Sequence, residues 1–200
     1  MKLLLLLGAL AGFAALGLAI KPNFSVGRRG AVLGFMALFA LPIVVTGLNA
    51  NSHLEGSKST DFCLSCHEMN NYGKSLLIDD SDYLPAVHYQ NHLVDQDNAC
   101  FTCHTSYTMY GDVEAKIKGL KHVWVHYLGG ASETIELYDP YSNRECLYCH
   151  QGARSFEEGE DHIDEAEALA TGETSCLDCH DLIHDVEEID DFDFWHEAAE

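Results

Sequence analysis

Apolar residues are unevenly spread along this chain. Two unbroken blocks open it, Leu3 to Ile20 and Ala31 to Leu48, and after Asn49 apolar and polar positions mix without a sustained period. Each block holds 18 residues, which as a helix is about 27 Å long, close to the hydrocarbon thickness of a bilayer. The pattern predicts a membrane anchor over residues 1–49, a two-helix hairpin with helices about 3–20 and 31–48 and a loop at 21–30. Taken alone, the first block also has the form of a secretory signal, with Lys2 as its charged start. The joining segment carries Lys21, Arg28 and Arg29. Basic loops stay on the cytoplasmic side, so the amino terminus and everything past residue 49 are expected outside. Pro42 predicts a kink. Gly8 with Gly12, and Gly30 with Gly34, have the spacing that lets membrane helices approach closely.

Beyond the anchor, Asn49 to Thr60 reads as a linker and Asp61 to His184 as short helices and long loops. The clearest helix is Val113 to Tyr127, with Ala115, Ile117, Leu120, Val123 and Val125 among basic residues. Leu137 to Asn143, around Asp139-Pro140, reads as loop. Residues 151–200 hold 18 Asp or Glu against one basic residue, Arg154. Residues 185–200 form an acidic tail whose Phe192, Phe194 and Trp195 either face solvent or offer a docking strip. The formal charge of −21 excludes nucleic acid as a partner, because phosphate binding needs clustered Lys and Arg.

The eight cysteines change the picture most. They fall into four Cys-x-x-Cys-His sites: Cys63, Cys66 and His67; Cys100, Cys103 and His104; Cys146, Cys149 and His150; Cys176, Cys179 and His180. This is the signature of covalent c-type haem attachment, in which two sulfurs bond the porphyrin vinyl carbons and the histidine ligates iron. Disulfides do not require a histidine after every second cysteine. Zinc knuckles pair at regular separations, whereas the first cysteines here lie 37, 46 and 30 residues apart. The expected fold is therefore mainly α with long loops: a membrane anchor, then a multihaem cytochrome domain over 50–184 organised by four covalent haems c. Haem attachment takes place outside the cytoplasm, in agreement with the topology from charge.

These features resemble the NapC/NirT/NrfH family of membrane-anchored tetrahaem quinol dehydrogenases. The resemblance spans about residues 31–184. It rests on a spanning helix just before Phe62-Cys63-Leu64-Ser65-Cys66-His67-Glu68-Met69, three further haem sites, a Lys-rich helix with His122-Val123-Trp124, and a histidine soon after the fourth site. It implies transfer of electrons from menaquinol or ubiquinol to a periplasmic reductase or multihaem cytochrome, at the inner membrane, as a possible homo- or hetero-oligomer. Two departures stand out: a second apolar block where the family has one helix, and the acidic extension past His184.

The resemblance also implies ligands. His67, His104, His150 and His180 are the attachment-site ligands. At the first site Met69, two residues past His67, competes with it for the iron. His88, His162 and His184 are the distal candidates by position, with His92 a local competitor of His88. His122 stands where relatives often carry an acid, beside the first haem and the quinol pocket, as ligand or proton acceptor, and His126 shares that ambiguity. Lys116 matches a family lysine near the quinol, and Glu68 is a second proton acceptor. His53 and His196 are expected on the surface. Two other functions remain open at this point: an electron-relay subunit of a larger complex without its own quinol site, and a multihaem reductase, which would need an iron with an open position.

Overall fold

The computed structural model describes residues 2–21, 27–130 and 137–195. Most of the basic joining segment, residues 22–26, and His196 with the end of the acidic tail lie outside the described residues. The chain divides into two compact units, Met1–Ser57 and Lys58–Glu200. The boundary thus falls at the end of the second helix, some residues beyond the 49/50 border expected from hydropathy, because residues 49–56, mostly polar, continue the helix by about two turns.

In the first unit α1 (Lys2–Ile20) packs against a long helix built from α2 (Arg28–Phe35), a π turn at Met36–Ala40 and α3 (Leu41–Gly56). These three run on as one helix, Arg28–Gly56, of 29 residues. Among the described residues it is the one helix long and apolar enough to cross a membrane, and the described apolar run of α1 is shorter, Leu6–Gly17. Leu33, Phe35 and Ile43 stand exposed on it, as suits a helix whose solvent is lipid. Pro42 has no N–H to donate and its ring crowds the carbonyl four residues back. The π turn lies just upstream, where Leu41 N–H reaches Met36 O five residues back, so the expected break is absorbed within a continuous helix. Gly8 lies against Val45, where an added Cβ would sit 3.9 Å from Val45 Cγ1.

The second unit is a chain of short helices: α4 (Thr60–Leu64), α5 (Asn70–Ser75), α6 (Leu84–Gln90), α7 (Ala99–Cys103), α8 (Gly111–Trp124), α9 (Asn143–His150), α10 (Arg154–Glu157), α11 (Glu160–Asp164) and α12 (Ala166–Thr171). Single 3₁₀ turns lie between them, and among the described residues there is no strand, only an isolated antiparallel bridge between Ile78 and Phe194. Local side chains start several of these helices. Ser59 Oγ accepts from Phe62 N–H at α4, Ser142 Oγ accepts from Arg144 N–H at α9, and Ser175 with Asp178 forms a capping box at the fourth cysteine site.

The apolar core of this unit is small. Ile78, Tyr83, Ala86 and Ile189 form its buried cluster, and Phe192 and Phe194 pack against it. The segment read as a tail therefore belongs to the fold as far as Trp195. Asp79 N–H donates to Asp193 O at 2.8 Å, Trp195 N–H to Leu77 O at 2.8 Å, and Asp185 N–H to the Tyr83 hydroxyl at 2.8 Å. Phe192 rests edge-on against Tyr83. Alternation is the physical reason: Phe192 and Phe194 are two apart in extended chain, so both reach one face while the intervening acid points away. Phe194→Ala is expected to lower unfolding stability by about 2 kcal/mol, somewhat below the cost of a fully buried ring. Thermal unfolding of the purified chain checks this, and an unchanged midpoint would return the segment to solvent.

Candidate metal centres

All four Cys-x-x-Cys-His sites start on a short helical turn. Cys63 lies in α4, Cys100 and Cys103 in α7, Cys146, Cys149 and His150 in α9, and Cys176 in a 3₁₀ turn. A helical turn sets residues three apart toward one side, although Cys66 lies past the end of α4 in extended backbone. His104 N–H donates to Cys100 O at 2.9 Å and His180 N–H to Cys176 O at 3.0 Å, so each of these histidines closes the turn that presents its cysteines. The eight cysteines form no disulfides with one another.

Each attachment histidine faces a second histidine. The ring centroids lie 5.8 Å apart for His67 and His126, 6.2 Å for His104 and His184, 5.9 Å for His88 and His150, and 6.2 Å for His162 and His180. Two imidazoles on opposite sides of one metal ion put their centroids about 6 Å apart, since each metal–nitrogen bond is about 2 Å and the centroid lies about 1 Å further on. All four pairs have this separation.

The second member of every pair is also held by its other nitrogen. His184 Nδ1 lies 2.7 Å from Ser75 Oγ, and the Ser75 hydroxyl donates to Tyr72 O at 2.7 Å. That hydroxyl has one proton, so His184 Nδ1 carries its own and donates. His88 Nδ1 donates to Leu84 O at 2.8 Å and His162 Nδ1 to Phe156 O at 3.2 Å, where the acceptors are carbonyls and leave no other assignment. His126 Nδ1 lies 2.5 Å from Glu68 Oε1. In each case Nδ1 carries a proton, which leaves Nε2 as the nitrogen that could meet a metal. Metal-bound histidines are characteristically held by such a bond to the second nitrogen. His184 takes a positive φ of 42°, a conformation rare for a side chain of this size.

Electrostatics follow from the crowding. Loss of water around the ring, and then His104, push His184 down to about 4. Burial and then His122 lower His104, while burial and then His88, His180 and His162 lower His150. The sites also adjoin one another in chain order. The Cys100 thiol hydrogen-bonds Cys63, which with Lys116 holds Cys63 at about 7 against burial. Burial raises Cys103, with Cys149 of the third site adding to it. Burial and then Cys176 of the fourth site raise Cys146 to about 12. Between the second and third sites Tyr107 and Tyr148 stack at 3.8 Å with planes 7° apart, and the Tyr141 hydroxyl donates to Cys103 O.

The structure thus brings His88, His162 and His184 to attachment histidines, but not His122. The ring facing His67 is that of His126. His122 packs instead on Tyr138, with centroids 4.5 Å apart. The two histidines are four apart, but α8 passes into a π turn over Val125–Gly129, and the altered winding sends His126 elsewhere. His92 lies beyond the end of α6 with φ of 53°, so it shares no helix face with His88. His53 is exposed on α3. Lys116 Nζ lies 4.5 Å from the centre of the Phe101 ring, between the first and second sites. Glu68 joins His67 and His126 in one cluster, with Oε1 also 3.2 Å from His67 Nε2. Met69 is half-buried at the end of a 3₁₀ turn. Ser75 is the residue the sequence did not reveal, a serine among several whose burial alone distinguishes it.

Comparison with known proteins fits this arrangement. The model of the NapC/NirT cytochrome c family, N-terminal region, matches residues 27–189. The cytochrome c-type protein NapC of Haemophilus influenzae is 24% identical, with 80% of this chain and 88% of the relative covered. That of Paracoccus pantotrophus is 27% identical, with 74% and 67% covered. That of Escherichia coli K12 is 24% identical, with 65% and 70% covered. No solved structure matches.

Ser75→Ala takes away the partner of His184 Nδ1 and leaves a buried donor unmade. The expected loss is about 1–3 kcal/mol in unfolding stability, read by denaturant titration. An unaltered titration would mean that the Ser75 hydroxyl does not hold the ring.

Proposed function

The chain belongs to the NapC/NirT cytochrome c family, a membrane-anchored multihaem electron-transfer protein with covalent haem c, and from that membership we propose that it oxidises a membrane quinol and hands the electrons to a redox protein outside the cytoplasm. The observation that carries the reading is the set of four histidine pairs, each with an attachment histidine on one side. Four haems c, one per pair, would supply iron centres that each gain and lose a single electron. The eight cysteines would anchor them, and His67 with His126, His104 with His184, His150 with His88 and His180 with His162 would hold the irons. A reductase acting on its own small substrate needs an open iron position, and a second histidine stands at each of the four sites.

Oxidation of a quinol releases two electrons and two protons, so the site that takes the electrons also needs proton acceptors and a group to orient the quinol oxygen. Lys116, in electrostatic reach of Cys63, is the proposed donor to that oxygen. His122 is the proposed acceptor. Burial and then Lys121 hold it below its ordinary range, which keeps the imidazole neutral and able to take a proton at pH 7. The protons are released on the outer face, where the positive-inside rule puts the second unit. The acceptor protein is expected to meet the far end of the row, around the third and fourth sites, on an acidic surface.

Lys116→Ala is the test. In proteoliposomes carrying menaquinol, quinol-driven reduction is expected to slow about tenfold, equivalent to about 1.4 kcal/mol of transition-state stabilisation, with four covalent haems per chain still found by pyridine haemochrome. Lys74→Ala serves as control and keeps the native rate. A Lys116→Ala rate equal to native would remove this lysine from the quinol, and a native chain that no quinol reduces would leave only electron relay within a larger complex.

A further inference from the structure

The helix that brings His126 to the first site has a second face that the described residues leave exposed. Val113, Ile117, Leu120 and Trp124 recur at intervals of four, three and four residues, which sets them on one side of α8. They are 47%, 63%, 66% and 65% exposed. Tyr127 and Leu128 continue the stripe into the π turn and are also exposed. His122 and His126 point the other way, toward Tyr138 and the Glu68–His67 cluster. One side of the helix thus serves the first metal centre, and the opposite side is a continuous apolar surface that water does not suit.

We propose that this face lies in the lipid–water interface of a bilayer, with α8 flat on the membrane surface as a second attachment. Three observations select lipid over another protein. Lys58, two residues past the end of the spanning helix at Gly56, is ion-paired to Asp112 in the first turn of α8 at 2.6 Å. The start of α8 is therefore joined to the first residue of the second unit. Next, the segment is basic against its surroundings. Of the seven Lys and Arg beyond Ser57, Lys116, Lys118 and Lys121 lie on this one helix, against Asp112 and Glu114 in its first turn, in a chain of formal charge −21. Anionic headgroups attract such a patch while repelling the rest of the domain. Finally, the stripe ends in Trp124 and Tyr127, residue types that settle at the headgroup level because one end is apolar and the other polar. A helix so placed holds the first centre at the depth from which a lipid-soluble donor arrives.

The inference rests on the membrane-anchored reading but not on quinol being the donor. The test uses the full haem-loaded chain in nanodiscs containing phosphatidylglycerol, with a benzophenone-bearing residue in place of Ile117 or Leu120, and in place of Ile163, an exposed apolar residue on α11. After illumination, mass spectrometry is expected to find lipid adducts at 117 and 120 and background at 163. Background at 117 and 120, or adducts there only with a second copy of the chain or with added periplasmic protein, would overturn the placement. Quinol-driven reduction measured in the same nanodiscs keeps the two ideas apart. Lipid adducts without reduction by quinol leave the membrane face standing and remove the donor, and reduction without adducts does the reverse.

Discussion

The arrangement depends on where four protons sit. In His88, His126, His162 and His184 the Nδ1–H is committed to a carbonyl, a carboxylate or a serine oxygen, and each ring stands 5.8 to 6.2 Å, centroid to centroid, from that of an attachment histidine. A ring without that second bond could rotate or change tautomer, and would then offer an N–H where a ligand is needed. Each anchor is built from something near in the chain or in the fold. His88 uses the carbonyl four residues back in its own helix, His162 the carbonyl six residues back, and His126 the carboxylate beside His67. His184 alone reaches across the unit, to Ser75, and it is also the one that adopts an unfavourable backbone conformation to do so. The strain is offset by the buried hydrogen bonds that fix it.

The same constraint explains why the second unit has so little side-chain core. Its helices are four to fourteen residues long, six of the nine carrying a site cysteine or a histidine, and isolated helices of this length do not hold themselves. The cluster of Ile78, Tyr83, Ala86 and Ile189 closes the unit by joining its first third to its last residues. The remaining internal surface is the lining of the metal centres, and covalent haem c is the apolar body suited to filling it.

Much of this was legible in the sequence because the chemistry is written locally. Four Cys-x-x-Cys-His strings specify four sites wherever the chain goes, and the long apolar block of α2 and α3 needs no tertiary partner to be recognised. Resemblance added His88, His162 and His184. What escaped was whatever depends on winding or distance. A four-residue spacing makes His122 and His126 equivalent on an ideal helix, and only the π turn after Trp124 separates them. Ser75 and Glu68 act through neighbours that a linear reading cannot supply. Phe192 and Phe194 looked like surface because acids surround them, yet extended chain puts both on the core side. The exposed stripe of α8 was visible as a helix pattern, but a stripe facing inward and one facing out have the same sequence.

The two faces of α8 tie these threads together, since one helix holds the ligand for the first centre and the apolar surface behind it. The central claim is that histidine nitrogen, not methionine sulfur, completes that first centre. Near-infrared magnetic circular dichroism of the oxidised, purified chain measures the axial ligands directly. The account predicts bis-histidine, low-spin signatures for every haem, with His126→Ala converting one of them to another spin state or ligand set and His122→Ala converting none. A sulfur-to-iron charge-transfer band in the native chain, lost in Met69→Leu and indifferent to His126→Ala, would contradict it.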